Sequence, residues 1–277
     1  MWTARLWRRG PAGVGSDDPS FYYVDGHRKA VYSDYLVPRG LVARRGAVLG
    51  CRALVVLHDA AGHPLLATIH RGDTHLTSAL PLLLGRYERA VGTPPLSSLV
   101  VDREGMAAAF LRDLVAGGRT VVTVLRADQY AGLESFAAVG PFVPFRRDRH
   151  GVVIREVAAA RYRVALPDQP EEGVDLCVAL VRDLRRQVAR PAPVEEDERC
   201  WADDLHGDGC RWWEEGWIAT PAPSPATEAK LIPIVTTAAA MDPTQLAETY
   251  VYRWPAQENA IRDYLIRVSR FVIGRDI

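Results

Sequence analysis

The sequence predicts an α/β fold, and three observations carry that reading: short aromatic or β-branched runs, leucine-rich segments with a helical repeat, and turn residues between them. Phe21-Tyr22-Tyr23-Val24 is the first strand and leads straight into Asp25-Gly26-His27. Ala53 to His58 is the second, Asp59 to Gly62 supplies a four-residue turn, and Pro64 to Ile69 is the third, closing an antiparallel hairpin. Leu76, Leu80, Leu83 and Leu84 follow the i, i+4, i+7, i+8 spacing of a helix with one buried face, over 76–91. Leu99-Val100-Val101 is a short strand that ends at Asp102. Residues 106–116 place Phe110, Leu111, Leu114 and Val115 on one helical side and stop at Gly117-Gly118. Thr120 to Leu125 is a further β-branched strand. The order is three strands, helix, strand, helix, strand.

Around this block, residues 21–128, the pattern changes twice. Residues 1–20 show no periodicity and read as an irregular leader. Residues 129–230 read as an insertion of short, largely β pieces, Gly151-Val152-Val153-Ile154 among them. Within it, 168–217 form an acidic block. Residues 231–277 resume with a strand at Ile232 to Thr237 and a helix start at Asp242-Pro243-Thr244-Gln245, with Asp as N-cap and Pro in the first position. The helical pattern then runs to Phe271, interrupted at Pro255.

Composition narrows the class. Hydrophobic residues at 48% and charged residues at 25% of 277 exclude a disordered chain. No apolar run reaches the roughly 18 residues of a membrane helix, so no membrane partner is expected. Cys51, Cys177, Cys200 and Cys210 are too dispersed for a disulfide framework, which makes a reducing cytoplasmic setting the expectation. The 34 basic and 34 acidic residues cancel, and taken alone that zero argues against a nucleic-acid partner. The cancellation is regional. In 168–217, 14 acids against six arginines give −8, and the 28 basic and 20 acidic residues elsewhere give +8. The remainder of the chain is therefore basic enough to attract a phosphate backbone.

Three acids stand where core packing does not need them. Asp25 follows an apolar strand, Asp102 ends another, and Glu258 falls on the C-terminal helical pattern. A strand that is apolar until a final carboxylate presents that carboxylate at a sheet edge or cleft. Converging carboxylates suit hard divalent cations such as Mg²⁺ or Mn²⁺, and two such ions about 3.5–4 Å apart serve phosphodiester chemistry. Each acid taken alone reads as a turn or cap residue.

The neighbours of these acids add a resemblance. Tyr23-Val24-Asp25-Gly26-His27, Val101-Asp102-Arg103-Glu104-Gly105 and Tyr250-Val251-Tyr252-Arg253-Trp254-Pro255-Ala256-Gln257-Glu258-Asn259 occur in that order. Together they resemble the DDE transposases of bacterial insertion sequences, in the group with a Y-x2-R-x3-E-x6-K signature, over about residues 21–270. The spacing departs from that signature: four residues separate Arg253 from Glu258, and the basic position falls at Leu265, with Arg262 or Arg267 as loose substitutes. The resemblance implies an RNase H-like fold, a mixed five-stranded sheet flanked by helices and interrupted by a largely β insertion. It implies a metal-dependent DNA endonuclease and strand transferase, with Asp25, Asp102 and Glu258 as catalytic residues holding two Mg²⁺ or Mn²⁺ ions. Double-stranded DNA, as transposon ends and target, would be the partner, bound by a homodimer in the bacterial nucleoid.

On a helix Tyr250, Arg253, Gln257 and Glu258 share one face, where Arg253 offers a planar fork for phosphate; a surface salt bridge is the alternative. Tyr250, Arg253 and Arg262 are the DNA-binding candidates. Trp254 reads as core packing rather than a base-stacking platform.

Weaker candidates remain. Cys200, His206 and Cys210 lack the paired C-x2-C of a structural zinc finger and read as loop. His70, Asp73 and His75 read as turn chemistry after the third strand. His27 reads as an orienting neighbour of Asp25, and Glu104 either as an accessory acid or as a helix cap. Gly13 and Gly15 have no strand before them to make a nucleotide loop.

Two further readings stand beside the transposase. One is a truncated or domesticated RNase H-like module that binds DNA or a partner without cutting, since Asp25 leaves little chain before it for an end-recognition domain. The other is a nuclease that hydrolyses without strand transfer.

Overall fold

The computed structural model describes residues 21–32, 36–42, 46–92, 96–166, 169, 172–185 and 229–253. The chain divides into two compact units: the first takes Met1–Val143, Val157–Val181 and Ile232–Ile277, the second Pro144–Glu156 and Arg182–Leu231.

The first unit is a mixed α/β structure around a strand-rich sheet. β1 (Tyr22–Ala30) pairs antiparallel with β3 (Ala47–His58), with Asp25 opposite Val56. The outer edge of β3 is shared. Its first residues pair with the short β2 (Arg39–Val42) and the rest with β4 (Pro64–Arg71), both antiparallel. On the other side of β1, β5 (Ser98–Val101) runs parallel to it, and β6 (Thr120–Val124) runs parallel to β5. β10 (Lys230–Thr236) then pairs antiparallel with β6. Among these, the order β4-β3-β1-β5-β6 is that of five strands with two antiparallel neighbours on one side of the first and two parallel ones on the other. Beyond β10 the order continues through β9 (Val174–Asp183) to β8 (Val153–Val164).

The helices form where the sequence places them. α1 (Leu76–Val91) buries Leu76, Leu80, Leu83, Leu84 and Tyr87 and ends at Gly92, whose φ of 66° is the left-handed stop that glycine adopts without strain. α2 (Ala108–Ala116) buries Phe110, Leu111 and Leu114, while Val115 is exposed. The expected helix over 106–116 is shorter because Arg103–Gly105 forms a separate 3-10 turn. A Cβ on Gly105 would lie 2.8 Å from Val101 Cγ2, so this turn packs against β5 only with glycine there. α3 (Pro243–Val251) begins as expected: the Asp242 carboxylate accepts the Gln245 backbone N–H at 2.9 Å.

Strand lengths differ more than helix positions. The run after Asp25, expected to lie beyond the strand, continues as strand to Ala30, because five pairs with β3 satisfy its backbone whatever its side chains. β8 is 12 residues long although it contains Ala158-Ala159-Ala160, a helix-favouring run that sheet pairing overrides.

The second unit contains the tip of a hairpin. β7 (Val143–Arg147), most of which belongs to this unit, turns through Asp148–Gly151 into the start of β8. Asp148 Oδ1 accepts the backbone N–H groups of His150 and Val152, both at 2.9 Å, and Gly151 takes φ of 80°. Leu184 N–H donates to Ile154 O at 2.9 Å, which holds Arg182–Arg185 beside the hairpin.

Candidate active site

Asp25 and Asp102 are 77 residues apart and meet through the parallel pairing of β1 with β5. Val24 lies opposite Val101 in that register, so the next residue on each chain segment is an acid. The residues just before this point are apolar on both strands. Val24 on β1 and Leu99, Val100 and Val101 on β5 are fully buried, and the two carboxylates follow them together.

Each acid is held by its own surroundings. Asp102 caps the 3-10 turn, accepting the Arg103 backbone N–H at 2.7 Å, while its carbonyl accepts the Thr123 hydroxyl from β6 at 3.2 Å. The Asp25 side chain is 17% exposed. Burial pushes its pKa up to about 6; Arg253 opposes that rise and Asp102 adds to it. A carboxyl pushed this far by burial, beside a second carboxylate, is a pattern common at functional sites.

Arg253 joins the two acids. One guanidinium nitrogen lies 3.8 Å from Asp25 Oδ1 and another 3.7 Å from Asp102 Oδ1, and the residue is 5% exposed. Arg253 thus makes a buried bridge within the acid pair rather than a surface salt bridge. Its guanidinium also lies 5.4 Å from the Tyr250 ring centroid, a cation–π contact. Tyr250 is buried, and burial pushes its pKa up to about 12. The end of α3, which leads into Arg253, is tied to β1: Tyr23 OH donates to Thr249 O at 3.4 Å, and the Tyr23 and Tyr252 rings stand 6.3 Å apart.

Arg28 is a participant that no sequence pattern reveals. From β1 it donates to Gly72 O at 3.1 Å, to Thr74 O at 3.4 Å and to Glu104 at 3.3 Å. It links the strand of Asp25 to the turn that follows Asp102. Glu104 is thereby an ion-pair partner of Arg28 beside the acids.

The remaining candidates divide simply. Glu258 and Arg262 lie outside the described residues, as do Trp254, Gln257, Cys200, His206 and Cys210. His70 bonds Thr68, Arg71 pairs with Asp73, and His75 bonds Thr77, each a local contact two residues away. Among the described residues no three His, Cys, Asp or Glu side chains gather as a metal site. The two acids do share one cationic group, Arg253, and anionic oxygens directed at a common cation are two of the ligands a hard divalent ion requires. Also among the described residues, no helix is long and apolar enough to cross a membrane. The chain matches no protein-family model and no curated protein.

Proposed function

We propose that the chain is the catalytic domain of a DDE transposase with an RNase H-like core, cleaving and joining DNA phosphodiesters with two Mg²⁺ or Mn²⁺ ions. The observation that carries this reading is the adjacency of Asp25 and Asp102 at neighbouring parallel strands, with Arg253 against both. The strand order β4-β3-β1-β5-β6 supports the RNase H-like core, in which the first strand lies centrally and bears the first acid. Glu258, five residues after Arg253, is the third acid of this reading.

In this scheme Asp25, Asp102 and Glu258 would hold the ions, which would supply charge stabilisation at the phosphate and activation of the attacking oxygen. Arg253 would donate to a phosphate oxygen. Tyr250 supports Arg253 through its ring. Action on transposon ends and target DNA, by a homodimer in the bacterial nucleoid, belongs to the same proposal.

One observation favours the non-cutting alternative. Arg253 already bridges both acids, so the trio also serves as a structural ion-pair network of a DNA- or partner-binding module. Nicking of supercoiled DNA in Mg²⁺ or Mn²⁺ separates the two. Wild type nicks and Asp102→Asn does not; a well-folded wild type that leaves the plasmid intact in both metals sinks the enzyme reading.

A further inference from the structure

The described residues of the second unit carry a concentration of arginine that the proposed chemistry does not use. Residues 144–156 and 182–185 hold six arginines against Asp148, Glu156 and Asp183. Each of the three carboxylates is already engaged. Asp148 shapes the hairpin turn through two backbone N–H groups. Glu156 accepts from Arg182 at 2.7 and 3.1 Å. Asp183, 9% exposed, takes the fork of Arg185 at 2.6 and 3.0 Å.

Arg155 comes to the same Asp183 with less to gain. Its buried Nε stands 3.5 Å from Asp183 Oδ2, too long for a good hydrogen bond, and has no other partner. Its charge is disfavoured first by burial and then by the nearby Arg185, with Arg146 adding to the effect. Two guanidinium groups therefore share a single carboxylate. At the hairpin tip, among the described residues, Arg147 and Arg149 donate to neutral acceptors, the Gly151 carbonyl at 2.8 Å and the His150 ring at 3.1 Å. Both side chains are exposed, and Arg146 lies 5.0 Å over the Phe145 ring beside them.

Among its described residues this cluster holds more cations than anions, and such an excess favours an external anion. Guanidinium forks match phosphate oxygens, and a two-stranded ribbon is narrow enough to follow a groove of duplex DNA. We infer that the β7–β8 hairpin is a second contact surface for duplex DNA, with Arg147 and Arg149 on backbone phosphates and the Arg155–Arg185 pair behind them receiving a further phosphate. The choice of duplex DNA rests on the transposase reading; the preference for a phosphodiester backbone rests on the arginines alone.

Fluorescence anisotropy with a short labelled DNA duplex tests this, in EDTA so that cleavage does not intervene, from about 50 to 200 mM KCl. Arg147→Gln with Arg149→Gln should weaken binding about tenfold at the lower salt and reduce the slope of log K against log salt by about 2. Arg185→Gln should reduce the slope by about 1. Unchanged melting temperatures establish that the exposed substitutions leave the fold intact. Unchanged affinity and slope in the double variant overturn the proposal, and so does a loss confined to a single-stranded RNA probe of equal length. Nicking of supercoiled DNA, scored separately from binding, separates the two hypotheses. A wild type that never nicks, but whose slope falls with the hairpin arginines, retires the catalytic reading alone.

Discussion

Replacing Asp25 by Asn should stabilise the protein at neutral pH while abolishing any metal-dependent cleavage. Asp25 has a pKa of about 6 in the fold against 3.8 as a free side chain. A carboxyl with a raised folded pKa contributes stability that is fully present below its unfolded pKa and lost as pH rises through its folded pKa. At 1.36 kcal/mol per pKa unit, the ionised Asp25 costs about 3 kcal/mol at pH 8, and about half of that at pH 5. Asparagine keeps the shape without the charge, so Asp25→Asn should gain up to about 3 kcal/mol at pH 8 and nothing near pH 3. Urea unfolding in metal-free buffer across this range measures the gain directly. If Asp25→Asn is less stable than wild type at pH 8, the carboxylate is a net stabilising partner of Arg253, and the account of a costly acid retained for function fails.

The wild-type pH profile should conceal this cost, because His58 works in the opposite direction. His58 is 1% exposed, and burial lowers its pKa from 6.5 to about 4, so its contribution is present above pH 6.5 and lost as pH falls through 4. His58→Leu should remove roughly 3 kcal/mol of pH dependence in that window, leaving a chain whose urea midpoint falls as pH rises from 4 to 6; a midpoint that still rises contradicts the assignment. Arg253→Met should raise the Asp25 pKa further, readable by carboxyl NMR titration, and destabilise the fold by about 3 kcal/mol at pH 8 and less at pH 5. Asp242→Ala should cost about 1 kcal/mol through loss of the α3 cap, seen as a lower urea midpoint with an unchanged slope.

The parts of the fold legible in the sequence are those governed by local periodicity and capping. α1 spans the predicted 76–91, the β3–β4 hairpin forms around Asp59, and Asp242 caps the helix it precedes. Asp25, Asp102 and Arg253 are recognisable as carboxylates and a cation flanked by strand or helix signals, and the structure brings them together. Non-local pairing leaves no such trace. β2 has only four residues, and its existence depends on the edge of β3 beside it. The Gly26-His27-Arg28-Lys29 run extends β1 because β3 supplies partners, and the reach of Arg28 to Glu104 needs separate elements already in place. The two uneven units are equally hidden, since compactness is a property of the folded chain.

The tie between Tyr23 and Thr249 spans 226 residues, and Arg253 follows four residues later. A ribosome releases the strands that carry Asp25 and Asp102 long before it releases the segment that brings the arginine to them. At about 5–20 residues per second, the acid pair is synthesised while roughly 150 residues before Arg253 remain to be made. Until then the two carboxylates lack the arginine that faces both of them in the folded chain. Arg253 is thus the last member of the charged trio that synthesis completes.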